Sequence, residues 1–230
     1  MTTSAPWSVD RWGCFKGGNT LYTLYGTDES GSCMIDIALQ RCAVPWQRVD
    51  ASSWHEGEGS EALARINPLK QIPTLVTPDG QVLTESAAIL IHLGLEFPDA
   101  GLLAGNRGQI LRGLLYIAAN CYSAIGIIDY PQRWLGDVDQ ALQAHLVSGT
   151  RRYLHQAWVV FADQFAGQLF APNHAPNALG IMAAAVSRWE GAREALGALA
   201  PGFAHTLAQV DADPIVAPVF ARHWPHWNGL

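Results

Sequence analysis

The sequence predicts a two-part chain, an α/β domain over residues 20–100 followed by an all-helical domain over residues 106–230. Two observations carry this prediction. Up to residue 97, short strand-like runs alternate with helix-length segments and are punctuated by glycine or proline. From about residue 105 the pattern is helical periodicity alone. At 230 residues the chain has room for one large domain or two small ones, each able to bury a core.

The elements follow in order. "TLYTLYG" (20–26) has strand length and composition and stops at Gly26, so it reads as the first strand. After the polar loop "TDESGS", residues 32–43 carry Ile35, Ala38, Leu39 and Cys42 at helical spacing, with Ser30 or Ser32 available as an N-cap. "VPWQRVDA" (44–51) is a second strand, and "GSEALARIN" (59–67) is a short helix opened by Ser60. "PTLVT" and "QVLT" are two strands joined at Pro78-Asp79-Gly80, a hairpin signal. A helix over 85–97 starts at a Thr84-Glu85-Ser86 cap. This order, βαβ then helix, hairpin and helix, is the thioredoxin-like arrangement. "PDAGLLAGN" is the linker. Beyond it, residues 108–130, 137–165 and 178–196 carry helical periodicity and no strand pattern. Residues 1–19 read as a flexible N-terminal extension.

Composition narrows the function. A net charge of −6 with no run of like charges argues against a nucleic-acid footprint. The N-terminal twenty residues lack the continuous apolar run of a secretory signal, and no later stretch reads as apolar enough to span a bilayer. A cytoplasmic location is expected. Cys14, Cys33, Cys42 and Cys121 have neither zinc-site spacing nor the density of a disulfide scaffold, so reduced, mostly buried thiols and no metal are expected. Cys33 and Cys42 lie on opposite sides of their helix, which excludes a bridge between them.

The most specific stretch is "NPLKQIPTLVTPDGQVLTESAAIL". A residue before proline is pushed out of helical space, and proline removes a ladder donor, so Pro73 is a choice of backbone geometry. A helix beginning near Ser86 points backbone N–H groups at whatever sits above it, and a carboxylate suits that position. Taken alone, Glu85-Ser86 reads first as an ordinary cap, since capping is so common.

These residues, on a thioredoxin-like half joined to a helical half, resemble the cytosolic glutathione transferase family over roughly residues 20–225, densely in 20–97. The resemblance implies a cis bond before Pro73. It also implies that Ile72 offers its backbone N–H and C=O to the cysteinyl part of glutathione as an added strand. Ser86 would take the γ-glutamyl carboxylate, Glu85 would lie beside the γ-glutamyl ammonium, and Gln71 or Lys70 would lie near the glycyl end. The implied activity is conjugation of the glutathione thiol to a small hydrophobic electrophile by a homodimer, with glutathione as co-substrate. Alternatives on the same fold are a glutathione-dependent reductase, isomerase or dehalogenase, or a non-catalytic binding protein.

The group holding the sulfur as thiolate is read as Ser30 or Ser32, with Tyr25 as fallback. Lowering a thiol pKa by two units from about 8.5 requires about 2.7 kcal/mol, and one hydrogen bond to a charged group supplies about 1.5–3. Glu29 occupies the position where several classes carry a catalytic Ser or Cys, and a carboxylate there would repel a thiolate. Each candidate also has a structural reading: the serines as caps, Tyr25 as a core aromatic, Cys33 as a buried thiol, His92 as a packed side chain. For the electrophile, Tyr116, Asn120 and Ser123 fall on one helix face, with Tyr130, Arg133 and Trp134 just beyond its end. Helix packing with polar rim groups would explain these residues as well. Asn177 reads as a helix cap, with Gly180 where many family members have an Asp.

Overall fold

The fold is described from a computed structural model for residues 21–227; the N-terminal extension read over residues 1–19, with Cys14, lies outside the described residues. Four strands form one sheet: β1 (Tyr22–Gly26), β2 (Trp46–Asp50), β3 (Thr74–Val76) and β4 (Val82–Leu83), in the order β2-β1-β3-β4. β1 runs parallel to β2 and antiparallel to β3, and β3 pairs antiparallel with β4. A parallel pair needs a crossover, which α1 (Ser32–Arg41) supplies. The other helices of this half are α2 (Glu58–Ile66) and α3 (Ser86–Glu96).

α1 is buried from Ser32 through Leu39 because it is covered on both sides. It packs on β1 and α3 in its own half and on α8 (Ala178–Val186) and α11 (Val216–His223) of the helical half. One continuous hydrophobic cluster therefore runs through both halves, from Leu24 and Ile35 to Trp158, Phe161 and Leu207. Polar contacts join the same faces. Asp36, 1% exposed, accepts from Gln40 Nε2 at 2.7 Å and from Arg222, with the His223 ring at 3.7 Å. Burial works against its ionisation, but these partners outweigh burial and hold its carboxyl below the usual range.

The remaining helices are α4 (Arg107–Tyr116), α5 (Ser123–Asp129), α6 (Gln132–Leu135), α7 (Gln140–Phe165), α9 (Ala192–Leu199) and α10 (Pro201–Asp211). α4 and α5 are one continuous helix interrupted by a π-helical turn over Ile117–Tyr122. That helix, Arg107–Asp129, is long and apolar enough by composition to cross a membrane, which corrects the sequence reading. In this fold its apolar residues Ile110, Leu114, Ile117, Cys121 and Ile128 are buried within the bundle.

The segment read as one helix over 178–196 is two, because Glu190 and Gly191 take left-handed φ values of 59° and 70°. α10 and α11 were not read from the sequence, although Pro201 at the first position of α10 is a start signal. Two expected caps are also corrected. Gly31, not a serine side chain, is the N-cap residue of α1, and α2 begins at Glu58. The Ser60 hydroxyl instead sits between the carbonyls of Ser52 and His55, at 2.9 and 2.7 Å.

Asn177 does cap α8, accepting from Gly180 N–H at 3.1 Å. A Cβ on Gly180 would lie 2.3 Å from the Leu169 carbonyl oxygen. Only glycine fits this approach.

Candidate functional site

A cleft of about 460 Å³ opens between the two halves. One wall is the turn Gln71-Ile72-Pro73, where the Ile72-Pro73 bond is cis. The turn is fixed from behind: Asn67 Nδ2 donates to Gln71 O at 3.1 Å and to Thr74 Oγ1 at 3.0 Å, and Thr74 Oγ1 donates to Gln71 O at 2.8 Å. Among the described residues the N–H and C=O of Ile72 have no hydrogen-bond partner. Ile72 is only half-buried, so an extended segment laid along it could take both.

The second wall is the N-terminus of α3. Glu85, at φ 63° and ψ 109°, is a non-glycine residue in left-handed space, and its side chain makes no cap bond. Ile89 N–H to Glu85 O, at 3.0 Å, is the first helical bond. The N–H groups of Ser86, Ala87 and Ala88 have no partner among the described residues. By contrast α4, α7 and α8 are capped by the side chains of Asn106, Asp139 and Asn177. The ordinary-cap reading of Glu85-Ser86 is therefore not what the side chains do. Ser86 and Ala87, with two of these N–H groups and the Ser86 hydroxyl, line the cleft at the positive end of a helix, which suits an anion.

The third wall is helical: Ala118, Tyr122, Ser123 and Gly126 line it, with Met182 from α8 and Arg133 and Trp134 from α6. Tyr116 and Asn120 do not. The Tyr116 hydroxyl donates to Ala157 O at 3.0 Å, and its ring lies 5.8 Å from those of both Phe161 and Phe165. Asn120 accepts from the Tyr153 hydroxyl at 3.0 Å. The π turn between them widens the spacing, so the face expected at Tyr116, Asn120 and Ser123 is split. Tyr130 backs the rim, with Arg133 stacked 3.9 Å above its ring.

The residues read as thiol activators lie elsewhere. Ser30 and Ser32 are 5% and 0% exposed. Both hydroxyls point at Thr27 O, at 2.6 and 2.9 Å, and stand 2.8 Å apart. A hydroxyl has one proton, and both are committed to this buried cluster, so neither serine lines the cleft with a free donor. Tyr25 is half-buried in the sheet, and burial pushes its phenol above its ordinary range. Glu29 is exposed, with φ 55°, and lines a separate hollow with Trp54, His55 and Arg222, away from the Ile72–Ser86 cleft. Lys70 is exposed outside the cleft lining.

Cys33 is fully buried and burial drives its thiol far upward; Cys121 is raised to about 12 and Cys42 to about 11 for the same reason. All three are free, and none lines the cleft. No cluster of His, Cys, Asp and Glu able to hold a metal occurs among the described residues. Of the residues lining the cleft, Ala118, Tyr122, Gly126 and Met182 escaped the sequence reading, and nothing in their local sequence signals a site.

A thioredoxin-like half and a helical half, meeting at a cleft with an open backbone pair and an uncapped helix, define the glutathione-transferase class of fold. Residues 32–95 match the glutathione S-transferase N-terminal domain. The chain is 34% identical over 127 residues to the uncharacterized GST-like protein YncG of Escherichia coli K12, covering 54% of this chain and 62% of that protein. It is 37% identical over 83 residues to a probable maleylacetoacetate isomerase of Caenorhabditis elegans, covering 36% of this chain and 37% of that one. The matches thus span less than two thirds of either relative. A glutathione transferase homologue from Sulfitobacter with bound glutathione superposes with TM-score 0.72 at 20% identity, over 89% of this chain and 99% of that one. A sphingomonad glutathione S-transferase complexed with glutathione gives 0.70 at 17%, over 87% and 98%. Over residues 32–95 the chain thus carries a glutathione S-transferase N-terminal domain, and over nearly its whole length it shares the fold of these solved structures.

Proposed function

We propose that the protein is a glutathione transferase that brings the glutathione thiol to a small hydrophobic electrophile in the interdomain cleft. The observation that carries this reading is the pair of open polar walls, Ile72 and the start of α3, facing one cleft. An extended peptide with an anionic end satisfies both at once, and the two solved structures with this fold described above hold glutathione. Ile72 pairs with the cysteinyl unit, Ser86 and the N–H groups beside it take the γ-glutamyl carboxylate, Glu85 its ammonium, and Gln71 the glycyl end. The electrophile lies against Ala118, Gly126, Met182 and Trp134, with Arg133 at the rim. Holding both reactants in the cleft supplies most of the rate. A cysteine-based reductase has no support, since no described cysteine reaches the cleft.

Calorimetric titration should show one glutathione per chain. An analogue lacking the γ-glutamyl carboxylate should bind at least about tenfold more weakly, the value of one hydrogen bond to a charged group. Absence of glutathione binding, or equal affinity for the analogue, overturns the assignment. Turnover with an aryl halide tests the transfer itself.

The same reading takes the protein as a cytoplasmic homodimer, each glutathione-binding half against the partner's helical half. Leu69 and Val82 on one half, and Leu142 and Tyr153 on the other, are exposed apolar groups such an interface would cover. Light scattering at micromolar concentration should give twice the chain mass; the chain mass itself would sink the dimer.

A further inference from the structure

We infer that the phenol of Tyr122, supplied by the π turn of the helical half, is the group that holds the sulfur of bound glutathione; this rests on the glutathione reading of the cleft.

The cleft contains a position where three elements meet. A Cβ built on Gly31, the N-cap residue of α1, would lie 2.3 Å from the Tyr122 hydroxyl oxygen and 3.5 Å from Pro73 Cδ. The phenol oxygen therefore stands over the first turn of α1, beside the proline that follows the open Ile72 pair. A ligand residue hydrogen-bonded to Ile72 through both backbone groups carries its own side chain to within one residue of Pro73. For glutathione that side chain is the cysteinyl thiol. A residue with a side chain at position 31 would occupy the space the phenol now fills, so Gly31 and Tyr122 are complementary.

The orientation of the ring has structural causes. Ala118, Tyr122 and Gly126, spaced four residues apart, share one face and line the cleft, and the π turn over Ile117–Tyr122 offsets this face from that of Tyr116, which does not. The Tyr122 ring rests on that of Trp189, at 5.9 Å, which rests on Trp224, at 6.0 Å. The Ser86 side chain is a polar neighbour of the hydroxyl. Burial drives the phenol above its ordinary pKa, and the Ser86 contact only moderates this, so the O–H remains protonated and able to donate. The ionisable side chains lining the cleft besides Tyr122 are Glu85 and Arg133, one of each sign, and the buried Cys33 of α1 is near enough to add to the upward shift of the phenol. In the bound state the glutathione thiol loses its proton to solvent, Tyr122 keeps its own, and its O–H donates to the sulfur.

The ultraviolet thiolate band of glutathione bound to the full chain, followed against pH, tests this. Tyr122→Phe should raise the bound thiol's pKa by one unit or more, a tenfold loss of thiolate near neutral pH. S-methylglutathione, which has no thiol to ionise, should bind Tyr122→Phe and wild type within twofold. Gly31→Ala is a second variant: its φ of −61° accepts alanine, and the added methyl displaces the phenol, so the same rise is expected. If glutathione binds Tyr122→Phe with an unchanged thiol pKa, or if S-methylglutathione weakens as much as glutathione does, Tyr122 does not hold the sulfur. If wild type binds no glutathione, the reading of the cleft fails, and this inference with it.

Discussion

Asp211→Ala is expected to destabilise the protein by about 3–5 kcal/mol, the typical cost of leaving buried charge without its partner. Arg193 donates to both Asp211 oxygens, at 2.9 and 3.0 Å, as well as to Ser187 Oγ at 2.7 Å and Ala184 O at 2.8 Å. Arg188 reaches the same carboxylate at 3.2 Å. The two guanidinium side chains are 4% and 10% exposed, and among the described residues Asp211 is the one carboxylate paired with either. Burial already lowers the Arg188 pKa and Arg193 lowers it further; Asp211 is the main group opposing both. Without it two like charges remain in a poorly solvated space, with no carboxylate beside them and only the Ser187 and Ala184 oxygens on Arg193 and the Phe220, Trp224 and Trp227 rings on Arg188 to compensate. Thermal unfolding should show Tm lowered by roughly 6–20 °C for a chain of this size. Glu190→Gln, which breaks an ion pair with the 43% exposed Arg151, should cost about 1 kcal/mol or less. Equal losses in the two variants would mean that burial is not what makes the Asp211 cluster costly to open.

The same cluster bears on the cleft. Trp224 touches Arg188 on one side and Trp189 on the other, and Trp189 supports the Tyr122 ring. A loosened α10–α11 corner therefore reaches the helical wall of the cleft through packed rings. Stability and site geometry share residues here.

What the sequence disclosed and what it hid follow from how local each cause is. Gly26, Pro73 and Pro78-Asp79-Gly80 end or bend strands through their own backbone chemistry, so the β–α–β order and hairpin were legible. The stretch Glu85-Ser86 was legible as a helix start, but not as an uncapped one. Which way a side chain turns at that point depends on what the neighbouring half offers. Ser30 and Ser32 show the same limit: their distance from the cleft is a matter of one residue, and the Thr27 carbonyl, which both point at, decides it. The π turn at "IAANCY" has no compositional signature, so the faces of residues 116–126 could not be assigned by counting in 3.6. Gly180, read from the sequence only as a glycine in place of an Asp, is a packing requirement against Leu169.

Ser86→Asp is expected to act in opposite directions on stability and on ligand binding. The first turn of α3 offers three unpartnered N–H groups, and Glu85 supplies no cap. A carboxylate built into the first helical position meets those dipoles and should stabilise the free protein by about 0.3–1 kcal/mol. The same carboxylate occupies the place proposed for the γ-glutamyl carboxylate, and like charges set together cost several kcal/mol. Glutathione affinity should then fall by at least about 100-fold, equivalent to about 2.7 kcal/mol. Ser86→Ala separates the two effects: it removes one hydroxyl and leaves the N–H groups open, so binding should weaken by only about tenfold. Urea unfolding without ligand and calorimetry with glutathione read the two quantities independently. A gain in stability together with near-abolished binding identifies the open helix end as a site kept free for an anion at the expense of its own cap. A loss of stability with binding unchanged would place the anion elsewhere in the cleft, with Arg133 the remaining cation on its lining.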